Sequence, residues 1–408
     1  MFSKLFSIAA LVAAASAQGQ GLAAVLAANQ ETAQLAGLVG TLPDVAGQLS
    51  SLQNITLLAP SNAALATLLN SSAGAGLASN PGLLQAVLTY HVLSGTYAAS
   101  AIPTSPAFVP SALVDPKYAN VSGGQRVEAF RSGDKVTFIS GLLANSTVTQ
   151  AVSSPSAPRQ STPNPNPKTD RENPQNLNFT GGIIHVIDHV LTLPQNVSTT
   201  LVNAGLSSLY GALNATGLLD TVNGLSNVTI FAPANAAFQR IGSALGGAST
   251  DTLKAILTYH VHVGQEPLYS TSLVNGSSLP TVNGGSLTIH TGSNGVFVNS
   301  AKVITPDVLI AGGVVHVIDN VLNPNATAAA SPTATTGTPA FSGASSVANA
   351  PFTSGVATPT STIGGGGAGG HSGNTSTTHV SVAAAMPMVT GAVSMGALLG
   401  AGAVLVNM

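Results

Sequence analysis

The stretch TLLAPSNAAL at residues 56–65 returns as TIFAPANAAF at residues 229–238, and the rest of the chain is arranged around this pair. Each copy starts with a short apolar run, 55–58 or 228–231, that stops at Ala-Pro. Proline has no N–H to give a central ladder, so the pattern predicts a buried strand ending at Pro60 or Pro233. A helix follows: Ser61 or Asn62, and Asn235 in the second copy, are placed to cap it. Leu65, Leu68 and Leu69 fall at the i, i+3, i+4 spacing of one buried stripe.

Two further blocks recur in the same order. LTYHVLSG at 88–95 matches LTYHVHVG at 257–264, and GGIIHVIDHVL at 181–191 matches GGVVHVIDNVL at 312–322. The offsets are 173, 169 and 131 residues, so the first copy carries about 38 residues more than the second. Much of the excess lies at 153–178, where repeated prolines forbid a continuous helix or central strand and a polar composition offers nothing to bury. That predicts a surface loop. Leu253, Ile256 and Leu257 repeat the helical stripe ahead of the Tyr-His pair. The closing runs, 183–187 and 314–318, are β-branched and entered through Gly-Gly, as suits a strand covered on both faces. Alternation at 286–290 and 296–298 between glycine-rich turns adds a hairpin. Each unit is mixed helix and strand, so the fold class is α+β, twice over.

Composition narrows the function. The 408 residues include 11 Lys or Arg and 13 Asp or Glu, a charged fraction of 6% where roughly 25% is usual. A net charge of −2 supplies no basic field for a phosphate backbone, which argues against nucleic-acid binding. The absence of cysteine rules out disulfides, thiol catalysis and Cys-ligated metal. A surface so poor in charge needs another hydrophilic cover to stay soluble.

The two ends suggest where the protein lives. Residues 1–17 carry one positive charge at Lys4, an apolar run and an Ala-Ser-Ala site, which reads as a secretory signal peptide cut between Ala17 and Gln18. Residues 389–406 are uncharged with no Lys or Arg after them. Preceded by small residues and a polar spacer, they match a glycosylphosphatidylinositol (GPI) signal with attachment at Asn374 and with Gly373 or Ser372 as alternative registers. The tail 379–408 would then be removed. Residues 325–378, rich in Ser, Thr, Ala, Gly and Pro, are expected to form a disordered, O-glycosylated stalk.

The T-[IL]-[FL]-A-P-[SA]-N block, the Tyr-His block and the final G-G-x-[IV]-H-V-I-D-x-V-L block together resemble the fasciclin domain, and both copies show all three. The resemblance implies tandem domains at 18–194 and 195–324, each a twisted β-wedge or sandwich with packed helices. It also implies a role in adhesion or matrix, without catalysis. In some members adhesion is attributed to an Asp-Ile pair before the last block and to the Tyr-His region. The matching residues here are Asp307, Val308, Tyr259 and His260, while the first copy has Asn176-Leu177 in place of the acidic pair. Core packing with an internal hydrogen bond is the competing reading for Tyr-His, and a turn role for Asp307.

No G-x-S-x-G, H-E-x-x-H or P-loop pattern occurs, so no catalytic residue, cofactor or metal is assigned. His185 and Asp188 recur as His316 and Asp319, but at a spacing of three they leave a strand on opposite faces. Glycosylation is better marked. Acceptor sequons begin at Asn54, Asn70, Asn120, Asn145, Asn178, Asn196, Asn214, Asn227, Asn275 and Asn325, with an eleventh at Asn374, where random placement of the same residues gives about six. The expectation is a secreted glycoprotein, held at the cell surface or in the wall by a GPI lipid as its sole membrane contact. It would adhere to surface, matrix or wall glycans or proteins, or to its own kind. The alternatives are a structural surface component without a receptor and a module that binds a small apolar ligand.

Overall fold

Val228, Ile230 and Ala232 leave the strand Val228–Pro233 on one side and Phe231 leaves it on the other, and both sides are buried. In this computed structural model, which describes residues 21–150, 177–326 and 334–357, that strand lies beside the equally buried Gly313–Ile318. The pair is parallel, with Val228 opposite Gly313 and Pro233 opposite Ile318. Its other neighbours are antiparallel, giving a seven-stranded order of Val261–Val263, Val228–Pro233, Gly313–Ile318, Ala301–Ile310, Gly295–Val298, Ser286–Gly292 and Ser278–Pro280. Helices cover one face through Val228, Ile230, Val315 and Val317. The hairpin strands fold over the other, where Leu287, Ile289 and Val298 meet Phe231 and Ile318. The Gly-Gly entry has a steric cause: a Cβ at Gly313 would overlap the Val228 carbonyl oxygen, as one at Gly182 would overlap that of Ile55.

The first domain repeats the order with Ile55–Pro60 parallel to Gly182–Ile187. One strand differs. Ala301–Ile310 runs through a bulge between Thr305 and Val308, whereas its counterpart is broken into Asn145–Gln150 and Leu177–Phe179. Val148 faces Ile187 as Val303 faces Ile318, and Leu177 faces Ile184 as Val308 faces Val315. The proline-rich insertion therefore enters where the second domain has only Pro306 and Asp307. Residues 151–176 themselves lie outside the described residues, as do 1–20 with the signal-cleavage reading and 358–408 with the anchor signal.

Helix capping departs from expectation in the second copy. Ser61 caps the helix Asn62–Leu69 by accepting from the Ala64 N–H. Ala234 holds the equivalent place without a side-chain cap. Asn235 instead accepts from Ser208 N–H and donates to the Gly205 carbonyl, and Asn62 likewise accepts from Gln34 N–H and donates to the Gln30 carbonyl. The recurring Asn joins its helix to the N-terminal end of an earlier one, Ala33–Gly40 or Ser207–Ala215. Leu69, read as part of a buried stripe, is 53% exposed at the last turn of its helix.

The stalk reading is corrected over 334–357. This segment is a strap on the second domain: Phe341, Ala344 and Phe352 pack on the helical core, and Phe352 meets Phe238 edge-on with centroids 6.5 Å apart. Its backbone is held as well. Gly337 N–H donates to Asp319 Oδ2 at 2.7 Å, Val347 N–H to the Gln239 carbonyl at 3.0 Å, and Gln239 Nε2 to the Ala348 carbonyl at 2.9 Å. Small residues average to a composition that cannot bury much, but two phenylalanines and backbone partners suffice to order the segment.

The two domains touch through a mixed apolar and polar contact. Phe108 stacks on Tyr269 with centroids 4.2 Å apart and an interplanar angle of 13°. Gln125 Nε2 donates to the Ile310 carbonyl at 3.0 Å, and the Asn120 N–H donates to the Ala311 carbonyl at 2.6 Å. Arg126 reaches Glu266 at 3.5 Å, but Glu266 is largely exposed, so the pair contributes little.

Candidate functional site

The Tyr-His pair sits where a helix hands over to an edge strand, Pro81–Tyr90 to Val92–Ser94 and Thr250–Tyr259 to Val261–Val263. Both tyrosines are turned into the core. Tyr90 donates to the Arg126 carbonyl at 2.9 Å, and Tyr259 donates to the Ser286 carbonyl at 2.8 Å while accepting from Asn299 Nδ2. Each histidine closes a bridge. The Nδ1–H of His260 donates to the Ile256 carbonyl at 2.8 Å, and its Nε2 accepts the Leu322 N–H at 2.9 Å. His91 does the same between Val87 and Leu191, at 2.7 and 2.9 Å. This hydrogen-bond pattern requires the neutral ring. Burial lowers both imidazole pKa values from 6.5 to about 4, with the backbone carbonyl partner opposing the shift.

Asp307 and Val308 lie on the bulge of the long strand, and both are buried, at 4% and 0% exposure. Asp307 takes φ +62, the left-handed conformation that an Asp tolerates better than most residues. Its carboxylate accepts the Ser270 N–H at 2.8 Å, and its own N–H donates to Nδ1 of His316 at 3.3 Å. That leaves Nε2 of His316 to donate to the Leu268 carbonyl at 2.8 Å. Nδ1 of His316 is 4.0 Å from the carboxylate, but with that nitrogen accepting a backbone N–H the contact is not an ion pair. Val308 belongs to the helix-side core.

The adhesion assignment is therefore corrected. Tyr259, His260, Asp307 and Val308 are each at most 4% exposed and spend their polar atoms inside the domain, so none can meet a partner directly. The structure does bring Asp307 and the final block together around one loop, since Asp307 and His316 hold residues 270 and 268. Asp188 and Asp319 are structural too, accepting the Thr147 and Lys302 N–H groups at 2.7 and 2.8 Å. Among the described residues no group of three or more His, Asp or Glu side chains is placed to hold a metal ion, and no helix is long and apolar enough to cross a membrane.

The acceptor asparagines divide by exposure. Asn54, Asn70, Asn196, Asn214, Asn275 and Asn325 are exposed, whereas Asn120, Asn145 and Asn227 are half-buried. Asn178 lies in the strand Leu177–Phe179. Asn227 is tied to the other domain: its Oδ1 accepts the Ser122 N–H and its Nδ2 donates to Ser122 Oγ, both at 2.8 Å. A glycan needs that Nδ2, so the equivalence with Asn54, which extends to the left-handed backbone (φ +56 and +51) and to a carbonyl accepting from Gly95 or Gly264, stops at the side chain.

The contact between the domains also holds groups that sequence reading missed. Glu128, 3% exposed on the first domain, has its pKa raised to about 8 by burial and then by the Asp307 carboxylate of the second. Burial raises the Tyr269 phenol as well. These residues come from segments more than 130 positions apart, and each looks ordinary in its own neighbourhood.

Comparison with known proteins agrees with this architecture. The Fasciclin domain family model matches residues 30–156 and 204–324. A fasciclin-like arabinogalactan protein of Arthroderma benhamiae is 36% identical over 336 residues, which is 82% of this chain and 74% of that protein. The cell surface glycolipoprotein MPB83 of Mycobacterium bovis is 31% identical over 226 residues, 51% of this chain and 99% of its own. Among solved structures, a FAS1 domain pair from the insect cell adhesion molecule fasciclin I is 20% identical with a TM-score of 0.32, covering 70% of this chain and 94% of that one.

Proposed function

Because the chain belongs to the fasciclin-domain family, we propose that it is a secreted, GPI-held surface or wall glycoprotein whose paired domains mediate weak, multivalent adhesion without catalysis. The observation that carries this reading is the recurrence of whole domains whose motif residues are all committed to internal bonds, which leaves glycans and the outer surface to make contacts. Five exposed acceptor asparagines distributed over both domains, with a sixth at Asn325 just after them, support a glycan coat on a chain with 6% charged residues. Many copies fixed to one surface raise effective concentration, so individually weak contacts hold two surfaces together. Contact partners are surface, matrix or wall glycans or proteins, including a second copy.

The test is aggregation of beads coated with the glycosylated ectodomain. Clumping above a glycan-matched control, growing steeply with coating density, is the expected result. Dense coating without clumping would replace adhesion by a purely structural role. Release of the protein from intact cells by a phosphatidylinositol-specific phospholipase checks the anchor separately.

A further inference from the structure

The helical face of the second domain is covered by its own strap, while among the described residues no such segment lies on the matching face of the first domain. Gly211, Phe238 and Gly242 lie under Phe352 and Val347, and a Cβ at either glycine would overlap the strap. The bonds of Asn62 and Asn235 pair Gln34 with Ser208, which sets Gly37 opposite Gly211, while the 173-residue offset puts Leu65 and Leu69 opposite Phe238 and Gly242. These leucines line a cavity of about 130 Å³ between the helices and the strand Ile55–Pro60, with Val39, Leu68 and Leu84 among its other walls. Its size is near that of a dry apolar cavity of about 150 Å³ that admits benzene.

The two faces differ in what they can hold. Gln239 and Ser243 give the strap its backbone partners, through Val347 N–H, the Ala348 carbonyl, and the Ser345 N–H and carbonyl. The first domain has Ala66 in place of Gln239 and Leu69 in place of Gly242, so it lacks both the side-chain amide that holds the Ala348 carbonyl and the room that Val347 occupies. Every lining residue is aliphatic except His91, and both of its ring nitrogens are used by Val87 and Leu191. Charge narrows the ligand further. Residues 21–116 contain no Lys or Arg but include Glu31, Asp44 and Asp115, so nothing there would hold a carboxylate or phosphate head.

We propose that the helical face of the first domain binds the end of a neutral, unbranched alkyl chain, as in a fatty alcohol, at the site that the strap occupies in the second domain. The chain enters past Leu68 and Leu69 and packs against Val39, Leu65 and Leu84, with its uncharged head in solvent. This site does not depend on the adhesive reading, and either can fail without the other.

The full secreted chain tests it. The neutral probe N-phenyl-1-naphthylamine should show one saturable site per chain and be displaced by n-alkanols from hexanol to dodecanol. Displacement should tighten about fourfold per added methylene and level off once the cavity is full. Leu69→Asp, at an exposed position that leaves the core intact, should weaken displacement at least tenfold without moving the thermal midpoint. Leu84→Trp, which fills the cavity, should do the same. Absence of saturable binding overturns the proposal, as does binding unchanged in Leu69→Asp. Binding that is lost in Phe352→Ala but kept in Leu69→Asp would place the ligand on the second domain and also overturn it. So would binding to neutral phosphatidylcholine vesicles with none to free alkanols.

Discussion

His91 and His260 each stitch the end of a helix to the segment that follows the last strand of their domain. Replacing His260 with Ala removes two buried hydrogen bonds and leaves a void, so a loss of about 2–4 kcal/mol is expected from urea unfolding. The same residues make the fold acid-sensitive. With folded values near 4 and an unfolded value of 6.5, the unfolded chain takes up the proton first. Stability is complete above pH 6.5 and falls as the pH drops towards 4, by about 3 kcal/mol per histidine. Glu128 acts in the opposite sense: its folded value near 8 lies above the unfolded 4.5, so its contribution falls as the pH rises from 4.5 to 8. Glu128→Gln should gain stability over the parent at pH 9 relative to pH 5, as read from thermal midpoints. The sequence shows that Tyr-His recurs, and its spacing allows an internal bond. It does not show the partners, because Leu191 lies 100 residues from His91 and Leu322 lies 62 from His260. A still longer separation hides Glu128 from Asp307.

Among the elements, strands were the most legible, because β-branched runs bounded by Pro and Gly-Gly specify both their ends and their burial on two faces. The strap was illegible for a definable reason. Phe341 and Phe352 are the only Phe, Tyr or Trp residues beyond 324, and averaging over a segment of small residues conceals two anchors. Gly211→Val should displace the strap while sparing the sheet. Hydrogen exchange at the Val347 amide, bonded to the Gln239 carbonyl, should accelerate at least tenfold, with the amides of Gly313–Ile318 unchanged. The groove in the first domain was hidden by a correct rule applied one residue too far: the i, i+3, i+4 stripe is real, but its last member, Leu69, lies at the rim.

For the whole molecule, the contact between the domains ties up the side chain of one acceptor asparagine. Asn54 is exposed, whereas Asn227 is bonded to Ser122 of the first domain. Glycopeptide mass spectrometry should find Asn54 occupied and Asn227 bare. Separating the domains with Tyr269→Ala, which removes the stack on Phe108, should raise occupancy at Asn227. Tandem duplication was legible from three repeated blocks, but the contact was not, since Phe108, Gln125 and Tyr269 lie outside every repeat. The strap also has a consequence for tension applied from the C-terminal side. A pull applied beyond Ala357 meets Phe352 and Val347 first, then Phe341 and Gly337, before any tension reaches the sheet. Peeling the 24 residues 334–357 releases roughly 80 Å of chain. The strap is therefore expected to act as a sacrificial shock absorber, peeling before the domains unfold, and single-molecule pulling from the C-terminal side should show this as an early lengthening that reverses on relaxation.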